Sequence, residues 1–328
     1  MRVVAAPDKL RGSATAAEAA AAVGRAAWET GWECDEIPLA DGGEGTLAAL
    51  GGPNRTSVVT GPLGDTVEAA WRYGRTAVVE MALASGLALV GGPEGNDPVA
   101  ASTAGTGELI AAAIDAGCKR IVVGVGGSAT TDGGLGALRA LEPLARLKAV
   151  ELIVACDVRT RFVDAAWVFA PQKGASPAQV ELLARRLERL AQLYAESYGV
   201  DVEGLPGAGA AGGLAGGLVC GGARLVEGFD LVADELDLYD RIEGADLVVT
   251  AEGFLDEQSF EGKVVGGVAE LAAAHGVPVL AVVGDVLEGV TVPEGLEVVS
   301  LVERYGEDRA WSQTTRCIEE VVRERLAR

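Results

Sequence analysis

One histidine, His275, serves a chain of 328 residues. That scarcity removes whole classes of chemistry, because multi-histidine metal centres and serine–histidine–aspartate catalysis need the missing imidazoles. His275 itself follows an alanine-rich helical pattern and precedes the apolar run VPVLAVVG, so it reads as a helix end. The five cysteines (Cys34, Cys118, Cys156, Cys220 and Cys317) are scattered, with no CxxC pair. This spacing excludes a zinc ribbon and fits reduced thiols inside a cell. No run of ~18 apolar residues is available to span a membrane. The opening MRVVAAPDKL lacks the apolar core and cleavage site of a secretory signal, so a cytoplasmic location is expected. Positive charge is short as well: the formal net charge is −21, which argues against nucleic acid or an anionic membrane surface as partner.

Lysine is scarcer still. Only five of the 27 basic residues are lysines, so ordinary surface cations are written as arginine. Lys119 and Lys148 carry no further signal. Lys9 in APDKLRGS, Lys173 in APQKGAS and Lys263 in FEGKVVGG lie in glycine-flanked loops beside acidic or hydroxyl residues. A compact ammonium kept in an arginine-rich chain suggests a task a guanidinium fork cannot perform. Holding a phosphate or carboxylate as a point charge is one such task.

Glycine, by contrast, is abundant at 46 residues, and 49% of the chain is hydrophobic. The length suggests about two domains. RVVAAP reads as a strand, and Thr15 with Glu18 forms a capping box opening a helix that runs toward Thr30. EIPLA reads as the next strand. Residues 55–83 alternate and turn like antiparallel strands. Helices are expected at TAGTGELIAAAIDAG and LGALRAL and from Pro177 to about Tyr198, with strands at KRIVVGVGG and ELIVACDV. The last hundred residues repeat strand, loop, helix and strand through GADLVVTAEG, FLDEQSFEGK, VVGGVAELAAAHG and VPVLAVVGDV. This alternation implies a parallel sheet. The expected fold class is therefore α/β. Residues 1–60 and 225–328 would form a discontinuous Rossmann-like domain, and 61–224 an inserted mixed α/β domain containing antiparallel strands.

In open α/β sheets, ligands bind where loops leave the carboxyl ends of strands. DKLRGS, DGGEG, GGSATTDGG, CDV and TAEGFLDEQSFEGK all fall at such positions, and each supplies a carboxylate, hydroxyl or lysine. Phosphoryl transfer needs such a set: amides and lysines for phosphates, carboxylates for magnesium, and an aspartate to accept a hydroxyl proton. The competing reading of each aspartate is a helix cap or turn residue, and it weighs more for Asp41 than for Asp8 or Asp256. Gly207, Gly209 and Gly212 match G-x-G-x-x-G, but YGVDVEGLP is no hydrophobic strand, so a dinucleotide fingerprint is not expected. A turn that packs closely, or cradles phosphate at a helix start, fits Gly209 and Gly212 better. No GxxxxGK[ST] is present.

Taken together, APDKLRGS, LADGGEGT, VTGPLGD, VVEMALASGL, STAGTGELI, GVGGSATTDGG, VACDV, APQKGA, PGAGAAGGL and GADLVVTAEGFLDEQSFEGK resemble, in order, the class I glycerate kinase family. The resemblance runs along nearly the whole chain. It implies ATP-dependent phosphorylation of D-glycerate, on the 2-hydroxyl, with Mg2+, in a cleft between two α/β domains. Carried over by position, Asp8, Lys9 and Ser13 would line one loop, and Asp41 and Glu44 a second. Ser128, Thr130 and Asp132 would form a third, facing Asp157 and Lys173, with Glu252, Asp256 and Lys263 completing the site. Asp8, Lys9, Asp41, Asp256 and Lys263 are the catalytic candidates, and Asp8, Asp41 and Asp256 the candidate magnesium ligands. The expected partners are thus D-glycerate and ATP, and no oligomeric state is fixed, though a homo-oligomer is compatible. The chain departs from the family pattern at Phe254, which stands where an arginine belongs. It is also shorter between Leu141 and Glu151 and between Asp157 and Phe169. A lost cation and loop beside a small anionic substrate leave two alternatives: a kinase for a related hydroxy acid, or a non-catalytic binder of nucleotide or sugar acid.

Overall fold

Two capping boxes, one of them read from the sequence at Thr15 and Glu18, open two of the longest helices. In the computed structural model, which describes residues 1–10, 12–287 and 289–328, Thr15 caps the helix Ala16–Thr30 with Glu18 reaching back to it. Ser176 and Gln179 do the same for Pro177–Tyr198, with proline in the first turn. Each box satisfies amide donors that the first helical turn leaves open. Both helices end on a left-handed glycine, Gly31 and Gly199.

The strands, in chain order, are β1 (Arg2–Ala5), β2 (Glu33–Glu36), β3 (Arg55–Thr60), β4 (Thr66–Trp71), β5 (Ala77–Glu80) and β6 (Arg120–Gly124). They continue with β7 (Glu151–Cys156), β8 (Arg224–Glu227), β9 (Leu247–Leu255), β10 (Val279–Val286) and β11 (Leu296–Ser300). The chain divides into two compact units, Met1–Asp41 with Gly228–Arg328, and Gly42–Glu227.

In the first unit, five parallel strands are ordered β11-β10-β9-β1-β2. Chain order therefore reverses direction between β1 and β9, the arrangement whose switch point receives ligands in doubly wound sheets. Strand residues alternate between two cores, as a sheet covered on both faces requires. Val3, Ala5, Val249 and Val282 pack with the helices Ala16–Thr30 and Thr314–Leu326. Ala281, Val283 and Leu255 meet Val265 of the helix Val264–Ala274 on the other face.

In the second unit, β5-β6-β7-β8 form a parallel sheet, and β3 and β4 an antiparallel hairpin. The hairpin residues Val59, Ala69 and Trp71 share a core with the sheet and the helix Ala104–Asp115.

Four details differ from the sequence reading. The second strand lies on Glu33–Glu36 rather than on EIPLA, which follows it as extended chain bonded from Ile37 and Leu39 to Ala5 and Pro7. The segment AVVE, read with the antiparallel strands, is β5 and pairs in parallel with β6; its four buried residues suit a strand covered on both faces. Strand β9 runs on through Phe254 and Leu255, read as loop, because both pair with β10. Residues 42–60 group with the second unit, since Gly45 and Leu47 donate their amides to Glu80 and β3 is bonded to β4.

Candidate active site

The turn that leaves β1 carries Asp8 and Lys9 directly to the switch point. The Asp8 amide donates to the Ala251 carbonyl at 2.9 Å, so Asp8 lies beside Glu252 on β9. The Lys9 ammonium stands 3.6 Å from Asp8 and 3.8 Å from Asp41, bridging the two carboxylates. Burial is the main force on Asp8 and pushes its carboxyl up to about 6; Lys9 opposes this and Asp41 adds to it. Glu252, 9% exposed, is pushed up to about 7, again chiefly by burial. Ser259 and Lys263 counter that shift, whereas Asp8 and Asp256 reinforce it. One Glu252 oxygen, Oε1, is buried without a hydrogen-bond partner among the described residues. Loss of hydration destabilises a carboxylate, and carboxyls held near neutral pH are characteristic of functional sites.

The remaining candidates of this unit divide between cap and site. Asp256 accepts from the Ser259 amide at 2.9 Å and so caps the short turn Glu257–Phe260; a cap role is thus on display for this residue. Lys263 is the residue that precedes the helix Val264–Ala274 and carries no side-chain cap bond there. Ser13 turns back onto the Leu10 carbonyl and lines a cleft described below.

The second unit gathers its candidates at the carboxyl ends of its own strands. Ser128 and Thr130 follow β6, and Asp157 follows β7. Lys173, only 3% exposed, donates to Ser128 Oγ at 2.7 Å and to the Thr130 carbonyl at 2.6 Å. Burial drives its ammonium down to about 7, with Asp132 pulling the other way. Two of the three donors of Lys173 are therefore spent inside the protein. Asp132 accepts from the amides of Thr103, Gly134 and Gly136 and from the Thr103 hydroxyl, joining two helix starts. Gly209 and Gly212 lie where backbones pass closely: added Cβ atoms would stand 2.4 Å from the Arg161 carbonyl oxygen and 2.0 Å from that of Thr130. Close packing is thus their visible duty. Glu44 is exposed in the glycine loop before the short helix Thr46–Ala49.

The structure thus brings Asp8, Lys9, Asp41, Glu252, Asp256 and Lys263 into one unit and Ser128, Thr130, Asp132 and Lys173 into the other. Sequence reasoning missed Glu80, whose buried carboxylate holds the Gly45 and Leu47 amides, and Thr103 and Ser259, which support Asp132 and Glu252. Glu80 had a signal, an acid closing the apolar run AVV; Thr103 and Ser259 had none.

The family model described as the glycerate kinase family matches residues 3–144 and 142–328. The two matched segments overlap at residues 142–144. A glycerate 2-kinase of Escherichia coli K12 is 38% identical over 91% of this chain and 90% of its own length. A glycerate kinase of Bacillus subtilis 168 is 39% identical over 87% of this chain and 85% of its own. The crystal structure of a Salmonella typhimurium LT2 protein, assigned provisionally as glycerate kinase 2, superposes with a TM-score of 0.85 at 36% identity. That superposition covers 100% of this chain and 97% of the other. With its α/β architecture and its lysine–carboxylate cluster at the sheet's switch point, the chain belongs to the glycerate kinase family and is a kinase.

Proposed function

We propose that the protein transfers the γ-phosphoryl group of ATP to the 2-hydroxyl of D-glycerate, with Mg2+, giving 2-phosphoglycerate and ADP. The observation that carries this reading is the pair of buried carboxyls, Asp8 and Glu252, held near neutrality beside Lys9 and Lys263. A base works best when its pKa lies near the operating pH, and Glu252 meets that condition with an oxygen that has no hydrogen-bond partner among the described residues. Glu252 accepts the proton of the attacking hydroxyl. Lys9, Lys263 and the amides that open the helix Val264–Ala274 hold phosphate oxygens, since a helix start favours anions. In the second unit, Lys173 fixes the loop Ser128–Thr130.

The donors fit magnesium. Asp8 and Asp41 are hard oxygen ligands set about a single ammonium. No group of three or more candidate ligands occurs among the described residues, but Mg2+ commonly uses one or two carboxylates together with substrate phosphates. Asp8 and Asp41 would hold the ion, which when bound would neutralise charge on the β- and γ-phosphate oxygens. The free cysteines and the absence, among the described residues, of any helix long and apolar enough to cross a membrane support a cytoplasmic setting.

The test is ADP release from Mg-ATP and D-glycerate, with the product identified by NMR. 2-Phosphoglycerate is expected. 3-Phosphoglycerate would move the reaction to the other hydroxyl, and turnover only with a different hydroxy acid would replace the substrate.

A further inference from the structure

The most prominent departure from the family pattern, Phe254, opens onto a feature that the phosphoryl-transfer chemistry leaves unused. Phe254 is 49% exposed and Trp311 43%. Both line a cleft of about 210 Å³ with Leu10, Ser13, Asp285 and Glu307. We propose that this cleft is the nucleoside subsite of the kinase, taking the adenine and ribose of ATP; the inference rests on the kinase reading above.

Three observations support it. The first is position. Leu10 follows Lys9, and Phe254 lies two residues beyond Glu252 on β9, so the cleft adjoins the lysine–carboxylate cluster through two of the segments that line it. The second is shape. Pockets that enclose a whole drug-sized ligand run about 300–1,000 Å³, so this one suits part of a nucleotide. Its aromatic wall is braced: a Cβ at Gly12 would come within 3.2 Å of the Trp311 ring, so the backbone there packs against the indole. Exposed aromatic faces bind bases by stacking, which needs no specific hydrogen bond.

The third observation is charge. Asp285 and Glu307 line the cleft, and no cation does so among the described residues. Asp285 is held in place by the Val286 amide at 2.9 Å and the Ser300 hydroxyl at 3.2 Å. Two carboxylates repel a phosphate or the acid substrate. They accept hydrogen bonds from ribose hydroxyls, a use of acidic side chains in other nucleotide sites. The anionic portions of both substrates belong with Lys9 and Lys263 instead.

The experiment compares wild type with Phe254→Ala and Trp311→Ala in steady-state kinetics, after thermal unfolding shows that the variants fold. Loss of a stacking face should raise KM for ATP about 10-fold or more. KM for D-glycerate should not change, kcat should change little, and Phe254→Tyr should restore KM for ATP. A rise in KM for the acid alone would assign the cleft to the acceptor and overturn the proposal, as would no change in either constant. Failure of the kinase reading is separable, because calorimetric titration with adenosine requires no turnover. Adenosine binding that weakens about 10-fold or more in Phe254→Ala would sustain the subsite even if glycerate were not phosphorylated. Equal affinity in the two proteins, or no binding to either, would overturn it.

Discussion

Glu252 is under opposing demands: its neighbours include two carboxylates and one lysine, and its burial favours the neutral acid. A base in that condition is available only as pH rises through its pKa, so kcat/KM should climb with pH toward a plateau above about 7. Glu252→Gln keeps the shape and removes the proton acceptor. The expected loss in kcat is about 100-fold or more, with the ascending limb near pH 7 removed from the residual activity. A normal pH profile in the folded variant would assign the base elsewhere. Lys263 makes a complementary test. If it stabilises charge on the transferring group, Lys263→Ala should lower kcat by about 100-fold, and wild-type turnover would remove it from the site. Lys263 was legible as a catalytic candidate and Glu252 only as a site residue, the base being sought among Asp8, Asp41 and Asp256; burial is what marks Glu252.

At the scale of elements, the glycine-rich segment before β8 shows what pattern reading resolves and what it leaves open. The G-x-G-x-x-G match carried no hydrophobic strand, and the structure shows the reason for its glycines. Ala211, Gly212 and Gly213 all take left-handed conformations within the helical segment Ala210–Cys220, and Gly212 presses on the loop Thr130–Thr131. Gly212→Ala would combine overpacking with a strained backbone, at a cost on the order of 3 kcal/mol. Chemical denaturation should show a correspondingly lower midpoint, and an unchanged midpoint would mean that the loop yields freely. The capping box at Thr15 was readable because its bonds are local; the equally local one at Ser176 was not read. Strand β5 was misassigned because four residues cannot announce whether their partner runs parallel or antiparallel.

For the molecule as a whole, the buried groups leave a signature in stability against pH. Glu252 has a folded value near 7, above its unfolded 4.5, so folding takes up a proton. Its contribution is fully present below 4.5 and is lost as pH rises through about 7. Lys173 runs oppositely. Its folded value of about 7 lies below the unfolded 10.5, so the unfolded chain binds the extra proton and stability rises with pH between those values. Denaturant midpoints measured from pH 5 to 10 should therefore separate the two: Glu252→Gln should flatten the fall below 7, and Lys173→Met the rise above it. A Lys173→Met curve parallel to wild type would mean that the ammonium is not desolvated.

The α/β class, the helix cap at Thr15, the exclusion of histidine and zinc chemistry, and the loops proposed to carry the site followed from sequence alone. Each depends on periodicity, composition or bonds between near neighbours. The pairing of Asp8 with Glu252, the burial of Lys173 and the cleft at Phe254 and Trp311 were decided by tertiary structure. They join residues far apart in the chain, and the desolvation that tunes two of them exists only once the sheets and helices have closed around them.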